Sequence, residues 1–187
     1  MLKKINQCER IRKNGKRLRK YNTIRTVGKD DIKMEKIRGF EVAKGYEDKG
    51  INLPVRKTKN SAGYDIESAE DITIPSFKFG MKPTLVKTGI KAYFKPNEFL
   101  MLCNRSSNPG KKGLVVANSV GIVDSDYYNN PDNDGHIMFA FYNFFEKDLE
   151  IKKGDVIGQG IFMPYYMTDN DNATEERKGG FGSTNKN

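Results

Sequence analysis

The sequence lacks several features on which common protein classes depend. Its 187 residues contain a single histidine, His136, and two cysteines, Cys8 and Cys103, which lie far apart. These residues support neither a disulfide framework nor a zinc site of the usual spacing, so we expect a reducing, cytoplasmic location. The longest apolar stretch, HIMFAFYNFF, falls far below the roughly 18 residues of a membrane-spanning helix. The sequence predicts a soluble protein.

The lone histidine also limits the catalytic chemistry. His136 follows the turn-like sequence DNDG, and we expect it to be a solvated loop residue. A Ser-His-Asp triad, a Cys-His pair and an HExxH metal site are all disfavoured, because no second histidine or suitable partner is present. If this protein performs acid–base catalysis, its base must be a carboxylate.

The chain has a formal net charge of +9, and the whole of this positive excess comes from its first 33 residues. Residues 1–33 hold 12 of the 33 Lys and Arg but only 3 of the 24 Asp and Glu, so the remainder carries 21 of each sign. This segment has few apolar residues and no clear period, which predicts a disordered basic extension. The alternative is an arm that binds a polyanion such as nucleic acid.

From about Lys36 onward, short segments rich in Val, Ile, Phe and Tyr are separated by clusters of Gly, Pro, Asn and Asp. This pattern is typical of many short strands joined by turns. With 36% hydrophobic residues, the chain can fill one ordinary core. We therefore predict one all-β domain, a sandwich or barrel, over residues 34–175, followed by a glycine-rich arm at 176–187.

Two familiar motifs are present but incomplete. Asn130, Asp132 and Asp134 have the spacing of a calcium-binding loop, but Phe141 stands where that loop requires a glutamate. The terminal GGFGST lacks the lysine of a phosphate-binding loop, and the chain ends where the helix of that motif should begin. Neither motif predicts a site.

Five other segments carry polar and glycine residues that a β scaffold does not require. They are SAGYD (61–65), RSS (105–107), ANSVGIVDSDY (117–127), GDVIGQ (154–159) and KGGFGST (178–184). In ANSVGIVDSDY, Gly121 is predicted to support a tight hairpin turn between two apolar strands. In this order the five segments resemble the five motifs of the trimeric dUTPase family, whose members hydrolyse dUTP to dUMP and pyrophosphate. The resemblance runs from about Leu53 to Thr184. It implies a distorted jelly-roll β-barrel that assembles as a homotrimer, with three sites at subunit interfaces.

The resemblance also implies roles for individual residues. Asp124 matches the catalytic carboxylate that orients and deprotonates water for attack on the α-phosphate. Asp65 matches the carboxylate that holds Mg²⁺ through its water shell. Asn118 matches the residue that contacts the uracil edge. Tyr127 matches the residue whose ring lies against the deoxyribose and leaves no room for a 2′-hydroxyl. Phosphate contacts are implied for Arg105, Ser106, Ser107 and Gln159, and Asp126 is interpreted as structural.

In the family, the C-terminal arm closes over the bound nucleotide. Phe181 is expected to stack on the uracil ring, a contact worth roughly 1 to 3 kcal/mol for base stacking on aromatics. Further contacts are expected from Gly182, Ser183 and Thr184. The arm departs from the family at its arginine, because Arg177 lies two positions before Gly179 instead of three. Either a slightly shorter loop still brings Arg177 to the γ-phosphate or that contact is lost, and we expect the first.

Two other functions are compatible with parts of the sequence. The first is a dCTP deaminase or a bifunctional enzyme. The dCTP deaminases resemble the dUTPases in fold, but they need a glutamate in the strand after the hairpin, and HIMFAFYNFF contains none before Glu146. A dUTP-responsive regulatory protein that contacts nucleic acid through residues 1–33 is the second alternative. Magnesium-dependent hydrolysis of dUTP is the predicted function.

Overall fold

The computed structural model describes residues 8–13, 16–21, 36–177, 179 and 180. The chain divides into two units, Met1–Glu35 and Lys36–Asn187. In the first, strand β1 (Cys8–Lys13) pairs antiparallel with strand β2 (Lys16–Tyr21). No periodic signal in the sequence predicted these two strands. The role of residues 1–33 as a basic extension stays a prediction.

The second unit is built almost entirely of short strands, as the sequence predicted. They are β3 (Gly39–Val42), β4 (Tyr64–Glu67), β5 (Ile72–Ile74), β6 (Thr84–Lys87), β7 (Ile90–Tyr93), β8 (Glu98–Asn104), β9 (Leu114–Val116), β10 (Gly121–Asp124), β11 (Met138–Asn143), β12 (Leu149–Ile151) and β13 (Val156–Pro164). One α-helix, α1 (Asn108–Lys112), and two 3₁₀ turns, Phe77–Phe79 and Ser125–Tyr127, complete the described elements. Within the described residues, no helix is long and apolar enough to cross a membrane.

These strands form four antiparallel sheets. Their orders are β10-β8-β13-β4, β6-β11-β9, β12-β5 and β3-β7. Over the described residues the hydrogen-bonded ladders stay separate and do not run continuously around one closed barrel. The first sheet positions the predicted site residues, because it contains Asp65 on β4, Asp124 on β10 and Gln159 on β13.

Alternation along the strands builds the core between the sheets. In β11, Phe139 and Phe141 are buried while Ala140 between them is half-buried, as expected when successive side chains point to opposite faces. The two rings stack with centroids 5.4 Å apart. Gly158 on β13 faces them, and a Cβ there would lie 2.5 Å from the Phe139 ring. Sheet packing therefore requires glycine at this position.

Candidate active site

Asp124 lies at the end of strand β10, where the chain leaves the sheet and enters the 3₁₀ turn Ser125–Tyr127. The preceding Val123 is buried in the core. Because side chains alternate along a strand, Asp124 points away from that core, and its side chain is 52% exposed. The strand thus presents a carboxylate to solvent at its last residue.

A cavity of about 240 Å³ lies beside this carboxylate. It brings together four of the residues predicted to form the site, namely Asn118, Asp124, Tyr127 and Arg177. Apolar side chains, including those of Leu102 and Ile137, line other parts of it. A concave site in which apolar walls meet a few convergent polar groups is typical of small-molecule binding.

Arg177 joins the C-terminal segment to the cavity. Its Nη2 donates to an oxygen of Asp124, and its Nε donates to Asp126 Oδ1 at 2.7 Å. Burial lowers the pKa of Arg177, but the hydrogen bond that it donates to Asp126 and the charges of both aspartates outweigh this effect and raise the pKa overall. Sequence reasoning interpreted Asp126 as structural and missed this contact, since Asp126 and Arg177 lie 51 residues apart.

Tyr127 forms one wall of the cavity and is only 8% exposed. Its hydroxyl donates to the carbonyl oxygen of His136 at 3.1 Å and accepts a hydrogen bond from Asn133 Nδ2 at 2.7 Å. Burial raises the pKa of this phenol. Gly180 lies against the ring, and a Cβ at that position would approach Tyr127 Cε2 to 2.6 Å. The arm can therefore pass this close only as glycine.

The turn before β10 differs from the hairpin that the sequence predicted. Strand β9 pairs with β11, and β10 pairs with β8, so over the described residues the two strands flanking the turn belong to different sheets. The turn lies at Ser119, whose φ of +62° is left-handed, and not at Gly121 as predicted. Gly121 instead begins β10, where a Cβ would lie 3.1 Å from that of Leu102.

Asp65, Arg105 and Gln159 form a second cluster, and none of them lines the cavity beside Asp124. Gln159 on β13 is paired with Asp65 on β4. Asp65 Oδ2 is buried without a hydrogen-bond partner among the described atoms, and it lies 3.8 Å from Arg105 Nη2. That distance permits an ionic interaction but exceeds a hydrogen bond. The carboxylate thus retains an unused acceptor.

The RSS segment is held in a tight turn by two asparagines that sequence reasoning did not assign. Ser106 and Ser107 are exposed, and helix α1 begins directly after them. Asn108 is buried, and its Nδ2 donates to Asn104 Oδ1 at 2.7 Å and to the carbonyl oxygen of Ile157 at 2.8 Å. An asparagine on each side of RSS is the sequence signal that could have identified this clamp.

His136 is buried, which corrects the prediction that it is a solvated loop residue. Its Nε2 accepts a hydrogen bond from the backbone N–H of Gly89 at 3.0 Å, and its ring centroid lies 4.8 Å from that of Tyr46. Burial lowers the pKa of His136 from 6.5 to about 4. The imidazole is therefore neutral at physiological pH and serves as a structural acceptor.

Comparisons with known proteins agree with the geometry. A family model described as dUTPase matches residues 49–185. The chain is 53% identical over 151 residues to the deoxyuridine 5′-triphosphate nucleotidohydrolase of Lactococcus lactis subsp. lactis (strain IL1403), an alignment that covers 80% of this chain and 98% of that protein. This chain belongs to the dUTPase family. The enzyme of the same name from Buchnera aphidicola subsp. Acyrthosiphon pisum (strain Tuc7) is 33% identical, over 71% of this chain and 84% of that protein.

Solved structures confirm the predicted fold. The crystal structure of dUTPase from Streptococcus mutans matches with a TM-score of 0.65 and 45% identity, and covers 71% of this chain and 99% of that one. The dUTPase of Staphylococcus aureus phage phi11 matches with a TM-score of 0.59 at 19% identity, over 78% of this chain and 98% of that one. At that identity the phage protein supports the dUTPase fold alone.

Several dUTPase residues predicted from the sequence lie outside the described part of the chain. These are Phe181, Gly182, Ser183 and Thr184. Among the described residues, no cluster of three or more His, Cys, Asp or Glu side chains could hold a metal ion.

Proposed function

We propose that this chain hydrolyses dUTP to dUMP and pyrophosphate, with Asp124 as the base that activates water. The observation that carries the proposal is the position of Asp124, a half-exposed carboxylate on the wall of a cavity that also contains Asn118 and Tyr127. Membership of the dUTPase family supports the same chemistry. A general base of this kind contributes about 10² to 10⁴ to the rate.

Arg177 and Asp124 have linked roles in this proposal. Arg177 now donates to Asp124, and a guanidinium also matches the oxygens of a phosphate. A bound triphosphate would compete for Arg177 and draw it from the carboxylate. Asp124 would then be free to accept a proton from the water that attacks the α-phosphate.

The cavity suits a pyrimidine deoxynucleotide. Uracil presents an acceptor, a donor and an acceptor along its pairing edge, so the protein must offer the complementary pattern. Asn118 lines the cavity, and its side chain together with the backbone of the turn before β10 would supply this pattern. Cytosine would leave buried groups unpaired, which discriminates strongly. The Tyr127 ring would exclude a 2′-hydroxyl.

The phosphate side of the site is proposed to come from another subunit of a homotrimer. Arg105, Ser106, Ser107 and Gln159 do not line the cavity of their own chain. Large apolar side chains also stay exposed in the single chain, including Ile122 at 55% and Phe79 at 79%. Ile122 also lines the cavity, so a second subunit packed on this side chain would lie beside it. A trimer would bring the two residue clusters together.

Magnesium fits the second cluster as a water-bridged ion. The buried Oδ2 of Asp65 has no hydrogen-bond partner among the described atoms, so it can accept from an ion's water ligands. Mg²⁺ keeps several waters and is usually bound through one or two carboxylates and substrate phosphates. A single carboxylate is therefore sufficient, and the ion would neutralise charge on the triphosphate.

Deamination of dCTP is disfavoured by strand β11. Its residues, MFAFYN, contain no carboxylate that could move protons on a cytosine ring. The purified protein should be incubated with dUTP, dCTP, dTTP and UTP in the presence of Mg²⁺, and every product identified. We expect dUMP and pyrophosphate from dUTP and little turnover of the others. Release of dUTP from dCTP, or equal hydrolysis of all four, would contradict the proposal.

A further inference from the structure

The loop over residues 129–136 connects the 3₁₀ turn of Tyr127 to strand β11, and it is anchored to the sheet beneath it. Asp134 Oδ2 accepts from the backbone N–H of Lys44 at 2.8 Å and from Lys91 Nζ on β7 at 2.9 Å. Lys91 Nζ also donates to Asn129 Oδ1 at 2.5 Å. Asn129 and Asp134 both have positive φ, at 57° and 62°. Tertiary contacts therefore fix the loop near each end.

Asn130 organises the middle of the loop. It is 5% exposed, and its Nδ2 donates to the carbonyl oxygen of Tyr127 at 2.8 Å. Its Oδ1 accepts from the backbone N–H groups of Asp132 and Asn133, at 3.1 and 3.2 Å. These bonds place Asn133 directly over the Tyr127 turn.

Both the oxygen and the nitrogen of the Asn133 side-chain amide form hydrogen bonds. Its Oδ1 accepts from Asn130 Nδ2 at 2.8 Å and from the backbone N–H of Gly135 at 3.1 Å. Two donors on one oxygen fix the orientation of the amide, so its Nδ2 must point the other way. That nitrogen donates to the Tyr127 hydroxyl at 2.7 Å, while the hydroxyl donates to the His136 carbonyl. The phenol is thus held as both donor and acceptor.

We infer that Asn133 is a positioning residue that fixes the Tyr127 ring as a wall of the cavity and thereby sets the preference for deoxyribonucleotides over ribonucleotides. This inference rests on the proposed function. A hydrophobic pocket only weakly rejects a substrate that merely adds a hydroxyl, and small misplacements of a substrate-positioning group have large kinetic effects. The exclusion of a 2′-hydroxyl would therefore depend on how firmly the Tyr127 ring is held. Without Asn133, the phenol would keep its bond to the His136 carbonyl but lose the hydrogen bond that it accepts.

The test compares kcat/KM for dUTP and UTP in the full-length protein and its variants. Asn133→Leu has a similar volume but cannot donate to the phenol. Loss of one such hydrogen bond should reduce the ratio of dUTP to UTP efficiency about fivefold to tenfold, mainly through better use of UTP. Asp132→Ala, which removes an exposed side chain from the same loop, is the matched control and should keep the ratio.

A double-mutant cycle with Tyr127→Phe separates positioning from general loss of stability. If Asn133 acts through the phenol, Asn133→Leu should cause no further fall in the ratio when Tyr127 is already Phe. The inference would be overturned if folded Asn133→Leu kept the wild-type ratio of dUTP to UTP efficiency. It would also be overturned if Asn133→Leu and Tyr127→Phe lowered this ratio independently and additively. If the leucine variant does not fold, Asn133→Ser, whose shorter side chain cannot reach the phenol, should lower the ratio of dUTP to UTP efficiency in the same way. A wild-type protein that does not hydrolyse dUTP would refute the proposed function and this inference with it.

Discussion

Mixed trimers provide a quantitative test of the shared site. Asp124 lines the cavity beside Asn118 and Tyr127, whereas Arg105 belongs to the cluster around Asp65. If each site takes Asp124 from one subunit and Arg105 from another, two inactive variants should complement each other. We would unfold Asp124→Asn and Arg105→Ala together in equal amounts and refold the mixture.

The expected recovery follows from the composition of each site. A functional site needs its Asp124 from an Arg105→Ala subunit and its Arg105 from an Asp124→Asn subunit. With random assembly each condition holds half the time, so about one quarter of wild-type activity should return. If both residues served the same site within one chain, every site would lack one of them and the mixture would stay inactive.

The assay is pyrophosphate release from dUTP with Mg²⁺, measured before and after co-refolding. Each variant refolded alone gives the baseline. A mixture of Asp124→Asn with Tyr127→Ala is the matched control, because both residues line one cavity of one chain and should not complement. Absence of recovery in a mixture shown to contain mixed oligomers would refute the shared site.

Three further predictions concern the arm, the buried histidine and the basic segment. Truncation after Arg177 should lower kcat/KM for dUTP about tenfold to a hundredfold through loss of the stacking by Phe181 alone. An unchanged kcat/KM would show that Phe181 does not contact the nucleotide. The pKa of His136 is about 4 in the folded state, against 6.5 for an exposed histidine in the unfolded state. Between these two pH values the unfolded state therefore binds more protons. The free energy of unfolding should fall by about 3 kcal/mol as the pH drops from 6.5 to 4. Urea denaturation of wild type and His136→Gln checks this, since the glutamine variant should lack that part of the pH dependence. Removal of residues 1–33 should abolish salt-sensitive DNA binding if the basic segment is a polyanion-binding arm; equal binding by the truncated protein would contradict it.

The all-β fold could be predicted because its signals are local. Runs such as MFAFYN alternate buried and half-buried positions and are bounded by turn residues. Which strands pair with one another was harder to predict from the sequence. The segments flanking Asn118 looked like a hairpin, yet β9 joins β11 and β10 joins β8. The choice between a hairpin and a change of sheet depends on packing partners distant in sequence.

The candidate site was predictable wherever one short motif contains the functional residue. Asn118, Asp124 and Tyr127 fall within a single segment and line one cavity. His136 was assigned wrongly because DNDG reads as a solvated turn, whereas its partner, Gly89, lies 47 residues away. The contact between Asp126 and Arg177 was missed for the same reason, because these residues are also far apart in the sequence. Local polarity does not reveal which polar groups tertiary contacts will bury.

The most direct test of the central claim is pyrophosphate release by Asp124→Asn. Asparagine keeps the size of the side chain but cannot accept a proton from water, so turnover of dUTP should fall by about 10² to 10⁴ while nucleotide affinity stays largely intact. Asp126→Asn is the comparison, because Asp126 is equally exposed and binds the same Arg177, yet it should lose far less activity. Near-normal turnover by Asp124→Asn, or equal losses in the two variants, would contradict the assignment of Asp124 as the base.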